Sequence, residues 1–236
     1  MKVKNIFILA AMSLTLASCS DLFEPAEENN RGLDEIYNEP TYAQGLLGYG
    51  YAMLPYNTKS VTDVATDDAV SNDLTNGYLK MATGSWTANN DPMSRWTNGR
   101  ASIQYLNIFL QEVDKVNWAK DENARKMYCD SRKGEAYALR ALNLYYLLMN
   151  HGGWTADGKL LGVPNLTEPE SSTDDFNKPR NTFQECLNQI YSDLDEAAKL
   201  LPLDYNDLTD DNAVPAKYKE IGVKTAGDYN RVFGTI

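Results

Sequence analysis

The chain has 236 residues, with 33 acidic and 22 basic side chains and a formal net charge of −11. An acidic surface repels phosphate backbones, which argues against a nucleic-acid ligand. The hydrophobic fraction of 43% is sufficient for a packed core, and the length fits about one domain. Aromatic residues are abundant, with 15 Tyr and 4 Trp.

The N-terminal segment has the pattern of a bacterial export signal. Lys2 and Lys4 precede an apolar stretch over 6–16 that is too short to span a membrane. The next residues, Leu-Ala-Ser-Cys, resemble the lipobox of bacterial lipoproteins, in which the cysteine receives a lipid and becomes N-terminal after cleavage. We therefore expect residues 1–18 to be a signal peptide and Cys19 to be lipidated. An ordinary secretory signal is the alternative.

Residues 19–40 are polar and acidic and lack apolar periodicity. This composition is typical of a flexible tether that holds a domain away from a membrane. Acidic residues just after a lipidated cysteine also resemble the surface-export signal of some Gram-negative lipoproteins, although a solvated linker explains them equally well. We expect residues 41–236 to form the folded part.

The folded part is predicted to be helical. An apolar segment over 41–54 stops before Pro55, and residues 101–116 place apolar side chains at helical steps. Residues 122–150 fit one long helix, or two in tandem around Gly134. Its buried stripe is expected at Ala136, Leu139, Leu142, Tyr145, Leu148 and Met149.

The best-defined predicted helix begins at a capping box. Thr182 and Glu185 have the spacing at which the Thr side chain caps the Glu backbone N–H while the Glu side chain reaches back. Apolar residues then recur at steps of three and four until Pro202. Paired helices without a sheet indicate an all-α solenoid, although no strict 34-residue repeat is present.

Two long segments, 56–99 and 151–180, lack helical periodicity and are predicted to be loops. Loops of this length in a compact domain are usually functional. Residues 203–236 are polar and broken by Pro and Gly, and no terminal helix is expected there. Cys129 and Cys186 both lie in predicted helices, where a disulfide and two buried free thiols are about equally consistent with an exported chain.

No enzyme motif is recognisable. His151 is the only histidine, and because it follows a helix we expect it to interact with the helix C-terminus. The chain has no nucleophile elbow, phosphate-binding loop, zinc-protease or dinucleotide motif, and no metal or cofactor is predicted. Paired carboxylates for glycoside hydrolysis stay open, because the chain contains 33 acids.

Three motifs together resemble the SusD/RagB family of outer-membrane lipoproteins. Residues 134–148, GEAYALRALNLYYLL, resemble the family's E-A-x-x-L-R-A…Y helix. Gly162-Val163-Pro164 resembles its G-(V/I)-P motif. Residues 179–182 and 190–202 resemble its pattern R-x-T…I-x-x-D-L-x-x-A-x-x-L-P.

The resemblance implies an all-α, tetratricopeptide-like, SusD-like fold of helical pairs with long loops. It also implies a lipid-anchored protein on the outer face of the outer membrane. Such a protein captures oligosaccharides, or peptides in some branches, and delivers them to a SusC-like TonB-dependent transporter without being an enzyme. Family members are usually much longer, so we expect this chain to be an N-terminal part. A non-binding scaffold and a glycan-degrading lipoprotein are the rival hypotheses.

Sugar recognition uses flat aromatic faces for C–H surfaces and amides or carboxylates for hydroxyls. The two predicted loops supply these residue types. The candidate ligand-binding residues are Trp86, Asn89, Asn90, Trp96, Asp67, Asp68 and Trp154. In the alternative interpretation, Trp86 and Trp96 pack the loop onto the helices and the two Asp residues hold its shape.

Overall fold

The helical periodicity of the sequence is reproduced in the structure. The computed structural model describes residues 37–55, 62–201, 214–225 and 227–228. The predicted signal peptide, Cys19 and the tether up to residue 36 lie outside the described residues. Within the described ranges, no helix has the length and apolar character needed to cross a membrane.

The described residues form α-helices joined by long loops, which confirms the predicted fold class. The helices are α1 (Pro40–Ala52), α2 (Leu79–Ala82), α3 (Trp96–Glu112), α4 (Glu122–His151), α5 (Phe183–Leu200) and α6 (Ala216–Glu220). Two 3₁₀ turns cover Thr62–Ala65 and Val113–Lys115. Two short strands, β1 (Gly153–Trp154) and β2 (Leu160–Leu161), pair antiparallel with Trp154 opposite Leu160.

Helix α4 is one continuous helix that passes through Gly134. Its first turn is capped by Asp121, whose Oδ1 accepts the Ala124 N–H at 2.8 Å. A Cβ at Gly134 would lie 2.7 Å from Cγ of Leu201 at the end of α5. Gly134 therefore permits close packing of the two helices and does not interrupt α4.

Helix α4 is central because α1, α3 and α5 all pack against it. One apolar cluster joins α1, α3 and the first half of α4, and includes Leu47, Leu106 and Leu139. A second cluster joins α3, the second half of α4 and α5 through Ile103, Leu144, Leu148 and Ile190, among others. Helices α3 and α4 run antiparallel, since early residues of α3 contact late residues of α4.

The predicted buried stripe of α4 was partly wrong. Ala136, Leu139 and Leu148 are buried, but Leu142, Tyr145 and Met149 are 37%, 44% and 58% exposed. Helices α3 and α5 flank α4 along the side that carries residues 140, 143, 144 and 147, so this side of the helix is the buried one. The three exposed residues lie on the side of α4 that these helices leave open.

The predicted capping box at the start of α5 is present. The Thr182 Oγ1 accepts the Glu185 N–H at 3.2 Å, and the Glu185 Oε2 accepts the Thr182 N–H at 2.7 Å. The backbone hydrogen bond from Thr182 is the main reason that the pKa of Glu185 lies below its ordinary value. The box fixes the first turn of α5.

A buried ion pair joins α4 to α5. The Arg140 Nε and Nη2 donate to the two carboxylate oxygens of Asp193, at 2.8 and 2.7 Å. The Arg140 Nη1 also donates to Asn107 Oδ1 on α3 and to the Thr167 carbonyl, at 2.8 and 3.1 Å. The side chains are only 8% and 2% exposed, so hydrogen bonds replace the water that both charges have lost.

The two cysteines are free and buried, so the disulfide interpretation was wrong. The Cys129 thiol donates to Asp114 Oδ1 at 3.2 Å, and the Cys186 thiol donates to the Val163 carbonyl at 3.3 Å. Burial is the main cause that raises the pKa of Cys129 to about 12. Both residues therefore act as small packing groups.

The C-terminal segment contains a short helix, α6, which the sequence did not predict. Tyr218 of α6 is fully buried, and its hydroxyl donates to the Met127 carbonyl at 3.4 Å. This contact attaches α6 to the first half of α4. The expected absence of a helix at the very end concerns residues outside the described ranges.

Replacement of Asp193 by Ala should destabilise the protein strongly. The change leaves the Arg140 guanidinium buried without its counter-charge, and the expected loss is about 3–5 kcal/mol of unfolding free energy. Urea unfolding followed by circular dichroism measures it. The matched control is Glu196→Ala on the same helix, which breaks an exposed pair with Lys199 and should cost less than about 1 kcal/mol. Equal losses in the two variants would contradict a structural role for the buried pair.

Candidate functional site

The start of α3 and the end of α4 meet at one end of the helical bundle. The His151 Nε2 at the end of α4 accepts the backbone N–H of Arg95, just before α3, at 3.1 Å. The β1–β2 hairpin follows α4 at this same end. Trp96 begins α3 and Trp154 lies in β1, so the topology brings these two candidate residues to one end of the molecule. We call this region the aromatic end.

The Trp96 ring is held in place yet remains open to solvent. His151 packs edge-on against it, with ring centroids 5.4 Å apart and planes at 79°. The Arg100 guanidinium lies over the ring, 5.3 Å from its centroid, and is paired with Glu170 at 3.0 Å. The residue is nevertheless 41% exposed. A fixed, half-exposed indole is suited to stack against an apolar ligand face.

Trp154 and Trp86 are more exposed, at 74% and 51%. Trp154 lies on the hairpin whose tight turn uses Gly158 at φ +77°. Trp86 lies in a second turn, between Gly84 at φ +67° and a bridge that pairs Thr87 with Asn90. In the described part of the chain, no ring contact joins Trp86 to either of the other two.

The four polar candidates make no hydrogen bond with Trp96 or Trp154 within the described residues. Asn90 Oδ1 accepts from Lys80 Nζ at 2.7 Å, so this amide oxygen helps to hold the turn. Asn89 is exposed. Asp67 and Asp68 are exposed after the 3₁₀ turn, and no described hydrogen bond or ion pair links them to the three tryptophans.

A small recess beside Trp96 was not predicted from the sequence. Its volume is about 160 Å³, and its lining combines two tyrosines, apolar side chains and two polar groups. The lining residues are Pro55, Tyr78, Met93, Arg95, Tyr146, Met149 and Asn150. Tyr146 lies on α4. Only the tertiary fold shows that the loop residues Tyr78 and Met93 meet it.

His151 has a different role from the predicted one. Its ring does not bond to the end of its own helix but accepts from Arg95, and so it must be unprotonated at Nε2. Burial is the main cause that holds the pKa of His151 below its ordinary value. Nearby Arg180 acts in the same direction and Asp91 acts against both.

The C-terminus of α4 is bonded instead by Arg180, from the R-x-T motif. Its Nη2 donates to the carbonyls of His151 and Leu161, and its Nε donates to that of Gly162. A cation at this position also interacts favourably with the helix dipole. Arg180 therefore joins α4, β2 and the following loop, which is a structural task.

No metal-binding arrangement is evident within the described ranges, because no three His, Cys, Asp or Glu side chains are grouped to hold an ion. The functional groups of the aromatic end are indole and phenol rings, amides and guanidinium groups. Such a set can bind an uncharged ligand by stacking and hydrogen bonding.

The fold is a helical-pair scaffold with aromatic side chains on its loops. Residues 33–217 match the model of a SusD-like family described as starch-binding and associating with the outer membrane. The chain therefore belongs to the SusD-like family, as its motifs predicted.

Individual relatives agree with this assignment. SusD-like protein P38 from Formosa agariphila is 34% identical over 113 residues, which are 46% of this chain and 21% of P38. A crystal structure from Bacteroides vulgatus, provisionally described as a sugar-binding protein, is 27% identical with a TM-score of 0.54 and is matched over 84% of this chain. A SusD-like protein from Bacteroides fragilis shares the fold, with a TM-score of 0.59 and 18% identity over 82% of this chain.

The chain spans less than half of the length of these relatives. It covers 45% of the Bacteroides vulgatus chain and 38% of the Bacteroides fragilis chain. The matched region in this chain contains the helical scaffold, α1 to α5, and the loops of the aromatic end.

Protonation of His151 should loosen the aromatic end. Because the folded-state pKa is lowered, the contribution of His151 to stability is complete above its unfolded pKa of about 6.5 and decreases as the pH falls through the folded pKa. Tryptophan fluorescence of the wild type should therefore change below pH 6.5. The His151→Gln variant retains a hydrogen-bond acceptor that does not titrate, so this change should be absent.

A Trp96→Phe variant is the control that assigns the fluorescence change to Trp96, since this variant should also lose the change below pH 6.5. Urea unfolding at about pH 7.5 and pH 5 completes the test, because the wild type should lose more stability than His151→Gln over this interval. Identical pH dependence of the two proteins would show that His151 does not position the aromatic end.

Proposed function

We propose that the chain is part of a cell-surface protein that binds oligosaccharides at the aromatic end. The observation that carries this proposal is the exposure of three tryptophans, Trp96 and Trp154 of the aromatic end and Trp86 of the turn that precedes α3. Trp is highly buried on average, and exposing it sacrifices favourable apolar burial. Contact with a ligand explains why these three tryptophans are kept at the surface.

The geometry of Trp96 supports sugar stacking in particular. Arg100 and His151 restrict the ring, so little side-chain entropy is lost when a pyranose face packs against it. Arg95 and Asn150, in the recess beside it, provide donors for sugar hydroxyls. Binding by these groups is non-covalent, and we propose that the protein captures its ligand without cleaving it.

The comparisons support the ligand class. The family is described as starch-binding, and one solved relative is provisionally described as sugar-binding. By extension, the remaining candidates, Asn89, Asn90, Asp67 and Asp68, would contribute hydrogen bonds where the bound chain extends along the loop. This assignment is part of the proposal.

We propose further that the protein is anchored through lipidated Cys19 and faces the cell exterior. The lipobox-like sequence before Cys19 and the acidic residues after it support this topology. The family's described association with the outer membrane agrees with it. In this position the protein would deliver its ligand to a SusC-like TonB-dependent transporter.

The tryptophans provide the direct test. In affinity electrophoresis through gels that contain starch or other polysaccharides, the Trp96→Ala and Trp154→Ala variants should each bind about tenfold more weakly than wild type, because a stacking partner is removed. Tyr191→Ala is the matched control, since Tyr191 is 58% exposed on α5 and does not belong to the aromatic end.

Three outcomes separate the rival functions. Equal retardation of Trp96→Ala, Trp154→Ala and Tyr191→Ala would refute the aromatic end as the glycan site. If no polysaccharide retards the wild type and the wild type binds a peptide mixture, the protein belongs to the peptide-binding branch. Release of reducing ends during incubation would identify a glycan-degrading enzyme.

A further inference from the structure

A second polar cleft lies on the scaffold itself, at the surface above the buried ion pair. It has a volume of about 380 Å³ and lies between α3, α4, α5 and the segment around Thr167. Its buried floor contains Asn107, Arg140 and Asp193, and its exposed rim contains Gln111, Glu168 and Ser192. We call it the Arg140 cleft. It shares no lining residue with the recess beside Trp96.

The floor of the Arg140 cleft is rigid. Arg140 is bonded to Asp193, Asn107 and the Thr167 carbonyl, and Gln189 Nε2 donates to Asp193 Oδ1 at 3.0 Å. These charged and amide groups are fixed before any ligand arrives. A ligand that meets preorganised polar groups loses less free energy to ordering than one that meets mobile side chains.

The rim carries polar groups that the fold does not use. No hydrogen bond within the described residues involves the side chains of Gln111, Glu168 or Ser192, although other side chains of the same helices are bonded. An amide, a carboxylate and a hydroxyl that converge on a concave surface with a polar floor are the groups that fix small polar ligands.

The charges of the cleft define the ligand class. Asp193 compensates the positive charge of Arg140, while the Glu168 carboxylate has no cation within ion-pair distance among the described residues. Glu196, also at the rim, is paired with Lys199 at 2.6 Å. The cleft therefore has an excess of hydrogen-bond acceptors, which suits a neutral ligand that donates many hydroxyls and opposes an anion.

We propose that the Arg140 cleft binds one neutral sugar ring through its hydroxyl groups. The volume lies at the small end of ligand pockets, roughly 300–1,000 Å³. The nearby Tyr137 ring is packed against Arg140, at 5.3 Å from the guanidinium carbon, so hydrogen bonding and not stacking carries recognition. This site does not depend on the proposed function of the aromatic end, because none of its residues lies there.

The test titrates the purified protein with D-glucose, D-galactose, D-mannose and D-xylose while backbone amide signals are followed by NMR. At least one sugar should shift the signals of residues around 111 and 192. The double variant Gln111→Leu/Ser192→Leu should bind that sugar at least about tenfold more weakly, since it loses two hydrogen-bonding groups. The variant Gln184→Leu is the matched control, because Gln184 is exposed on α5 away from the cleft.

The outcomes are distinguishable from those for the aromatic end. The Trp96→Ala and Trp154→Ala variants should bind the monosaccharide at the Arg140 cleft as wild type does, even if polysaccharide retardation is lost. The proposal is overturned if none of the four sugars shifts cleft signals, or if Gln111→Leu/Ser192→Leu and Gln184→Leu bind equally.

Discussion

The buried pair of Arg140 and Asp193 is the interaction on which the arrangement of the helices depends. Removing a guanidinium and a carboxylate from water costs several kcal/mol per ion unless other groups satisfy them. Arg140 therefore draws one partner from α5, one from α3 and one from the loop at Thr167. If any of these elements moved by a few ångströms, a buried charge would lose a hydrogen bond. The pair thus fixes three helices and a loop relative to one another.

The sequence motifs identified the family because they encode this scaffold. Arg140 and Asp193 come from the two helical motifs, and Arg180 joins the end of α4 to the next loop. Gly162 is required because a Cβ there would lie 2.3 Å from the Cys186 sulfur. At each of these positions the local geometry accepts one residue type, and the positions are separated by fixed numbers of residues. The pattern can therefore be recognised in a single sequence. The four long helices α1, α3, α4 and α5, the capping box and the fold class could therefore be predicted, whereas the short helices α2 and α6 were not.

Other contacts leave no pattern that a sequence reveals. On α3, Gln104 exchanges two hydrogen bonds with the backbone of Glu170, and Asn107 donates to two further carbonyls of the same loop. These two side-chain amides bond to the backbone of a distant segment, much as a neighbouring strand would. Their spacing in the sequence does not indicate which segment they contact. The predicted burial of Tyr145 was wrong for the same reason, because the buried face of α4 depends on which helices pack against it.

The candidate site was less predictable from the sequence than the helical scaffold. Residue types in the predicted loops suggested the tryptophans as candidates, but their exposure and the packing of Trp96 against His151 could be seen only in the tertiary structure. Arg140, Asp193 and Arg180 make their hydrogen bonds within the fold, so these motif residues account for the architecture that the family shares. Arg100 lies where the site and the scaffold meet, since it pairs with Glu170 and covers one face of Trp96. Neither contact of Arg100 involves Arg140 or Asp193, so the aromatic end is joined to the helices separately from the buried ion pair.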